Sequence, residues 1–325
     1  MIAELEHLGW QVDVVDLGDG FPRLSAEQRM TAREKLMVVP GECPIVIDGL
    51  AFGVLPETAA RLRVRHPVIA LVHHPLALES HLGVAEADAF RASERAALAA
   101  VAHVVVTSDA TARLLTADYD VPADRITVAR PGNDPVPAAR SSSDGIVRLL
   151  AVGSVVPRKG FDVLVAALAT LTDLPWRLTI AGDGTRDPAA AARLDGDIAS
   201  HKLGNRIAAL GAVPDERIAQ LYAECDVFAL ASRFEGYGMA LADAIAHGLP
   251  VVTTTAGAIP ETVPAGAGVL VAPDDAGALA LALRRLIEDP DERRRLATAA
   301  RAAAAKLPTW RDSARLFSRA IEAVT

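Results

Sequence analysis

The sequence predicts an α/β protein built from two doubly wound parallel-sheet domains, and three observations carry the prediction. At 325 residues the chain is too long for one ordinary core and fits two domains of roughly 150 residues each. Short apolar runs of strand length alternate with helical stretches along most of it, the pattern of βαβ units around a parallel sheet. Residues 130–145, rich in Pro, Gly, Ser and Asp, break that alternation near the middle and read as a linker.

Composition narrows the function. Apolar residues make up 51% of the chain, so burial is not limiting. The net charge of −8 argues against nucleic acid or an anionic membrane as the main partner, and leaves transient membrane-surface contact open. Cys43 and Cys225 are few and far apart, which suits a reducing cytosol without structural disulfides. No signal peptide opens the sequence, and no apolar run approaches the ~18–20 residues of a membrane helix. The expectation is a soluble, cytoplasmic protein.

Taken in order, Ile2, Leu5 and Leu8 recur at helical spacing and Gly9 ends that segment. Residues 10–17 read as a strand. Strands follow at 45–47, 68–72, 104–107 and 126–129, with helices at 56–64, 85–102 and 109–117, the last capped by Ser108. After the linker come strands at 147–152, 177–181, 207–210, 227–231, 251–255 and 269–271. Between and after them lie helices at 161–170, 188–201, 214–223, 239–246, 276–288 and 290–306. Pro308 breaks the helical run, and residues 310–324 form a final helix with Trp310, Leu316, Phe317 and Ile321 as its apolar stripe.

The stretch 227–255 is the most informative. A buried strand runs into the loop Ser232–Gly238, then a short Ala/Leu-rich helix, then Gly248 and Pro250 before a second buried strand. A glycine loop of this kind aims backbone N–H groups and a helix dipole at one point, which suits phosphate. Glu235 and Asp243 stand on either side of it. A carboxylate repels phosphate but accepts hydrogen bonds from hydroxyls, and a nucleotide-sugar carries hydroxyls on both sides of its diphosphate. The plainer alternative is a buried βαβ unit with an incidental capping Glu.

The segment Glu235-Gly-Tyr-Gly-Met-Ala-Leu-Ala-Asp243-Ala-Ile-Ala-His-Gly-Leu-Pro-Val-Val resembles the donor-site signature of retaining family 4 glycosyltransferases (glycosyl transferases group 1). That family has the GT-B fold: two Rossmann-like domains facing a cleft. Its signature carries two glutamates separated by seven residues; the second position here is Asp243, shorter by about one C–C bond, ~1.5 Å. A domain of that fold opens with a strand and a glycine loop ahead of the first helix, and the sequence supplies neither, so the first strand of the amino-terminal domain is expected to be missing. The resemblance assigns residues 1–140 to an acceptor-side domain, 141–308 to the donor domain and 309–325 to a helix crossing back.

Further residues gain roles from the resemblance. Gly153-Ser-Val-Val-Pro-Arg-Lys-Gly-Phe161 follows the strand at 147–152, and by itself its Arg-Lys pair could be a solvated basic turn. The family carries Gly-Arg and then Arg/Lys-Lys-Gly here; the latter falls on Arg158, Lys159 and Gly160, whereas Ser154 replaces the first arginine. Donor binding is thereby implied for Gly153, Arg158, Lys159, Gly236, Tyr237, Gly238, Met239 and Asp243. His73, in His73-His74-Pro75 at the carboxyl end of the strand 68–72, matches a family histidine, with His74 the second candidate. Glu235 and His73 are the implied catalytic residues.

The implied reaction moves a sugar from a nucleotide-sugar to a sugar or glycolipid acceptor with retention, without cofactor or metal. Asp-x-Asp triplets at Asp118/Asp120, Asp195/Asp197 and Asp289/Asp291 sit near helix ends, where Asp caps, and are not read as metal sites. Two other readings remain: a non-catalytic or truncated binding protein, and a GT-B epimerase or phosphorylase acting on the same kind of donor.

Overall fold

The computed structural model describes residues 1–79, 82–139 and 144–325. The centre of the expected linker at 130–145 and the expected boundary at 140/141 lie outside the described residues. In chain order the first elements are α1 (Ile2–His7), α2 (Ala26–Met37), β1 (Ile45–Asp48), α3 (Gly49–Phe52), α4 (Pro56–Leu62), β2 (Val68–Val72), α5 (Val84–Ala99), β3 (His103–Val106), α6 (Asp109–Asp118) and β4 (Ile126–Val128). Then come β5 (Val147–Val152), α7 (Phe161–Ala169), β6 (Trp176–Ala181), α8 (Pro188–Ser200), β7 (Ile207–Ala209), α9 (Asp215–Glu224), β8 (Val227–Leu230), α10 (Met239–Ala246), β9 (Val251–Thr254), α11 (Ile259–Thr262) and β10 (Gly268–Val271). The chain closes with α12 (Ala276–Glu288), α13 (Pro290–Ala304) and α14 (Trp310–Glu322).

Contacts divide it into two compact units, Met1–Gly132 with Pro308–Thr325, and Asn133–Leu307. Each holds one all-parallel sheet, of order β1-β2-β3-β4 in the first and β10-β9-β8-β5-β6-β7 in the second. In the second unit β5 lies between β8 and β6, so the strand order reverses there. Such a reversal opens a crevice at the carboxyl ends of the strands. Strands buried on both faces explain the continuous apolar runs: every residue of β3, β8 and β9 is buried.

The core of the second unit packs Phe161, Leu164 and Leu168 of α7 and Leu279, Leu283 and Leu286 of α12 with the strands. In the first unit α14 lays Ala314, Phe317, Ala320 and Ile321 against Ile69 and Val105, with Leu5 of α1 in the same cluster. Its buried face therefore runs through small alanines, and Leu316, expected in the apolar stripe, is exposed. Leu316 precedes Phe317 by one residue, about 100° round the helix, and so turns off the face that Ala314, Phe317 and Ile321 bury.

Two expectations need correction. Residues 10–17 are not a strand; they pair with no sheet, and Val14 and Val15 are exposed. An extended segment becomes a strand only when a neighbour takes its N–H and C=O groups, and the free side of β1 is not paired with this one. Trp10 instead donates its indole N–H to Ser318 Oγ at 2.9 Å. The second correction is α2, unanticipated in the sequence, although Ser25 and Gln28 form its capping box. The Ser-x-x-Gln spacing was the available signal.

Candidate functional site

The site in the second unit is built from three loops that follow β5, β8 and β9. After β5, Pro157–Lys159 makes a 3-10 turn that ends at Gly160 in the left-handed region, φ 64°. That glycine is required twice over, since a Cβ there would run into the carbonyl of Ala231. The turn thus presses against the start of the β8 loop and sends the Arg158 and Lys159 side chains toward Glu235. Gly257, φ +59°, plays the same part after β9, where a Cβ would collide with the Glu235 carbonyl oxygen. That carbonyl accepts from Ala258 N–H at 2.9 Å.

Glu235 is the centre of the cluster. Its Oε1 accepts from Lys159 Nζ at 2.7 Å and from Ser232 Oγ at 2.6 Å, and Arg158 Nη1 lies 3.5 Å from Oε2. Arg158 also donates to the Phe234 carbonyl at 3.0 Å. Glu235, Lys159 and Arg158 side chains are only 6%, 14% and 15% exposed, so these are interior charges and not solvated ones. Burial pushes the Glu235 carboxyl up, but the Lys159 and Arg158 charges and the hydrogen bonds from Lys159 and Ser232 outweigh it and hold the group below its usual range. Glu235 is therefore an anion locked between two cations.

Beside it, Gly236, Tyr237 and Gly238 are buried, and Gly238 caps the amino end of α10. Tyr237 gives its carbonyl to Thr262 Oγ1, while Met239 is half exposed. Gly153 packs on the stem of Lys159: a Cβ there would lie 3.1 Å from Lys159 Cε. Asp243, one turn into α10, accepts from Asn133 Nδ2 at 3.1 Å. Burial raises its carboxyl to about 6, the Asn133 hydrogen bond opposing and the Asp134 charge adding to the rise.

Sequence reasoning missed Arg233. Its backbone N–H donates to the Arg158 carbonyl at 2.7 Å, and its guanidinium donates to the Pro157 carbonyl, Asp162 and Asp274. It ties the cation-bearing turn to the Glu235 loop, through contacts 71 and 41 residues away in sequence that no local pattern encodes. Asn133, which meets Asp243 across 110 residues, was missed for the same reason, whereas Ser232 lies three residues before Glu235 and its Ser-x-x-Glu spacing was a local signal.

His73 belongs to the first unit, at the carboxyl end of β2. Its Nε2 lies 2.9 Å from Asp48 Oδ2, with both side chains about half exposed, 53% and 51%. Burial raises the Asp48 carboxyl, but hydrogen bonds from His73 and the Leu50 N–H bring it below its ordinary value. His74 faces Glu79 instead, at 3.2 Å. Of the Asp-x-Asp residues, Asp289 caps α13. Among the described residues no group of three metal-ligating side chains gathers, and no helix is long and apolar enough to cross a membrane.

Comparison with known proteins places this geometry. Residues 45–136 match the family described as Glycosyltransferase Family 4, and residues 140–303 match Glycosyl transferases group 1. The chain is 28% identical over 267 residues to MMP alpha-(1->4)-mannosyltransferase of Mycolicibacterium hassiacum, covering 76% of this chain and 63% of that protein. It is 30% identical over 272 residues to D-inositol 3-phosphate glycosyltransferase of Nocardia farcinica, covering 76% and 59%. The chain thus spans about three fifths of the length of these relatives. Sucrose-phosphate synthase of Thermosynechococcus elongatus superposes with a TM-score of 0.78 at 22% identity, over 91% of this chain and 78% of that one. Anabaena HepE, solved in complex with UDP and glucose, superposes at 0.73 and 22%, over 91% and 80%. With both halves matched in order and two parallel-sheet units of the GT-B kind, the chain belongs to the glycosyl transferases group 1, family 4 glycosyltransferases.

Proposed function

We propose that the protein transfers a sugar from a nucleotide-sugar to an acceptor hydroxyl, with retention at the anomeric carbon and without a metal. The observation that carries this reading is the buried Lys159–Glu235–Arg158 cluster beside the glycine-lined amino end of α10. Two cations meet the buried Glu235 next to a helix amino end and at the carboxyl ends of parallel strands, an arrangement that suits an anionic ligand. Lys159, Arg158 and the amides of residues 236–239 would hold the diphosphate, with Gly153 giving the Lys159 stem its room. Glu235 would orient the donor sugar and Asp243 the ribose.

In the reaction the bond between the anomeric carbon and the diphosphate oxygen breaks while the acceptor oxygen bonds to the same face. The acceptor proton passes to the departing diphosphate oxygen. The two cations stabilise the charge that grows on that leaving group, which is the role a metal would otherwise fill. His73, held by Asp48, is the residue of the first unit we assign to the reacting sugar. One relative is a D-inositol 3-phosphate glycosyltransferase, which supports a hydroxylated acceptor, and a sugar or glycolipid is the class we propose. Free Cys43, exposed, and Cys225, buried, fit a reducing cytoplasm.

Calorimetric titration with UDP, GDP and ADP tests the donor site. One nucleotide should bind in the micromolar range, Lys159→Ala should abolish the binding, and Glu235→Ala should weaken the nucleotide-sugar more than the bare nucleotide. Absence of binding by all three would sink the proposal.

A further inference from the structure

The carboxamide of the partly buried Asn133 has an unusual hydrogen-bond state. One N–H of its Nδ2 goes to Asp243 Oδ1 at 3.1 Å, while its Oδ1 is buried and receives no hydrogen bond among the described residues. Buried acceptors are rarely left without a donor, so each one calls for an explanation. The second oxygen of Asp243 likewise has no protein donor among the described residues. The open oxygen of the Asp243 carboxylate is therefore an acceptor whose direction the Asn133 carboxamide sets. Both residues belong to the second unit, Asp243 on α10 and Asn133 on the segment before β5.

Asp243 is the position where the family signature carries the longer glutamate. The extra C–C bond of a glutamate, ~1.5 Å, exceeds the slack in a 3.1 Å hydrogen bond, so Asn133 stands in the room that the longer chain would use. We infer that Asn133 and Asp243 act as one unit in this chain, Asn133 being the positioning residue that sets the shortened acid to receive the cis-diol of the donor's ribose. A diol offers two O–H donors side by side, the complement of a carboxylate's acceptor-only oxygens. Asp243 takes the hydroxyls directly, and Asn133 fixes which way its carboxylate points. The inference rests on the donor reading above and deepens it from a bare assignment to a two-residue specificity element.

The test is titration of the full chain with UDP, GDP and ADP and with the 2′-deoxy form of each. The wild type should prefer the ribonucleotide by about 10-fold, the weight of one good hydrogen bond. Asn133→Ala should cut that preference to about 2-fold by weakening the ribonucleotide more than the 2′-deoxy form, which keeps only the 3′-hydroxyl, whereas a merely structural residue would weaken both alike. Asp243→Glu alone should weaken ribonucleotide binding, and Asn133→Ala combined with Asp243→Glu should recover it, a non-additive cycle. Asn133→Ser replaces the alanine variant should that one lose its fold by circular dichroism. Full ribose preference in the Asn133 variants, or a double variant no better than Asp243→Glu, would overturn the pairing. If the wild type binds no nucleotide at all, the donor reading falls and the inference with it.

Discussion

Two buried glutamates, one in each unit, are treated in opposite ways. Glu94 on α5 is fully buried; its Oε2 accepts from Leu76 N–H at 3.0 Å, and its Oε1 has no hydrogen-bond partner among the described residues. Burial raises its carboxyl to about 8 against that one hydrogen bond, so at neutral pH it is a protonated, uncharged acid. Glu235 is nearly as buried and carries its charge, because Lys159, Arg158 and Ser232 meet it. Burial is common to both; the neighbours decide. The comparison separates a carboxyl that steadies a turn from one whose charge is part of the proposed donor site.

The strongest way to break the contrast is Lys159→Ala, which strips Glu235 of its main partner and pushes it toward the state of Glu94. Removing one member of a buried pair destabilises by roughly 3–5 kcal/mol. Thermal melts should show that loss, and transfer should fall by roughly 10²–10³-fold. Replacing Lys159 and Glu235 together by Met and Leu should restore most of the stability and none of the transfer. If the single variant melts like the wild type, the cluster is not the interior ion pair described here.

Glu94→Gln sharpens the comparison from the other side. The folded pKa of Glu94, about 8, lies above its ordinary 4.5. A raised pKa means that the folded state keeps a proton the unfolded chain has released. Its contribution is therefore fully present below about 4.5 and is lost as pH rises through about 8. Over that window the loss reaches roughly 5 kcal/mol as an upper bound. Denaturant unfolding from pH 5 to 9 should show a much flatter profile in Glu94→Gln. Glu235 has the opposite sign: its depressed pKa gives stability that is present above the ordinary 4.5 and lost as pH falls below it.

Asp243 lies between the two extremes, with a folded pKa of about 6 against an ordinary 3.8. Its contribution is present below 3.8 and is lost as pH rises through about 6, up to ~3 kcal/mol. Asp243→Asn should remove that drift between pH 4 and 7; an unchanged drift would assign it to another group. The smallest stability effect is expected for His73→Ala. Its exposed pairing with Asp48 contributes less than about 1 kcal/mol, so melting should barely move. Turnover should nevertheless drop by roughly 10-fold or more. Unchanged turnover would remove His73 from the proposed reaction.

The sequence by itself determined the α/β class, the order of nearly every strand and helix and the glycine-flanked loop around Glu235. These features are local: strand burial, helical period and turn chemistry are written within a few residues of where they act. It also singled out Lys159, through the resemblance of Arg158-Lys159-Gly160 to the family's motif. The tertiary structure alone decided the rest. Lys159 meets Glu235 across 76 residues of chain, and Asn133 meets Asp243 across 110. Residues 10–17 have strand-like composition and still form no strand, since pairing is a property of two segments and not of one. Whether a buried glutamate is an acid like Glu94 or an anion like Glu235 depends on charges brought within a few ångströms by the fold, and Coulomb's law acts on distance in space, not along the sequence.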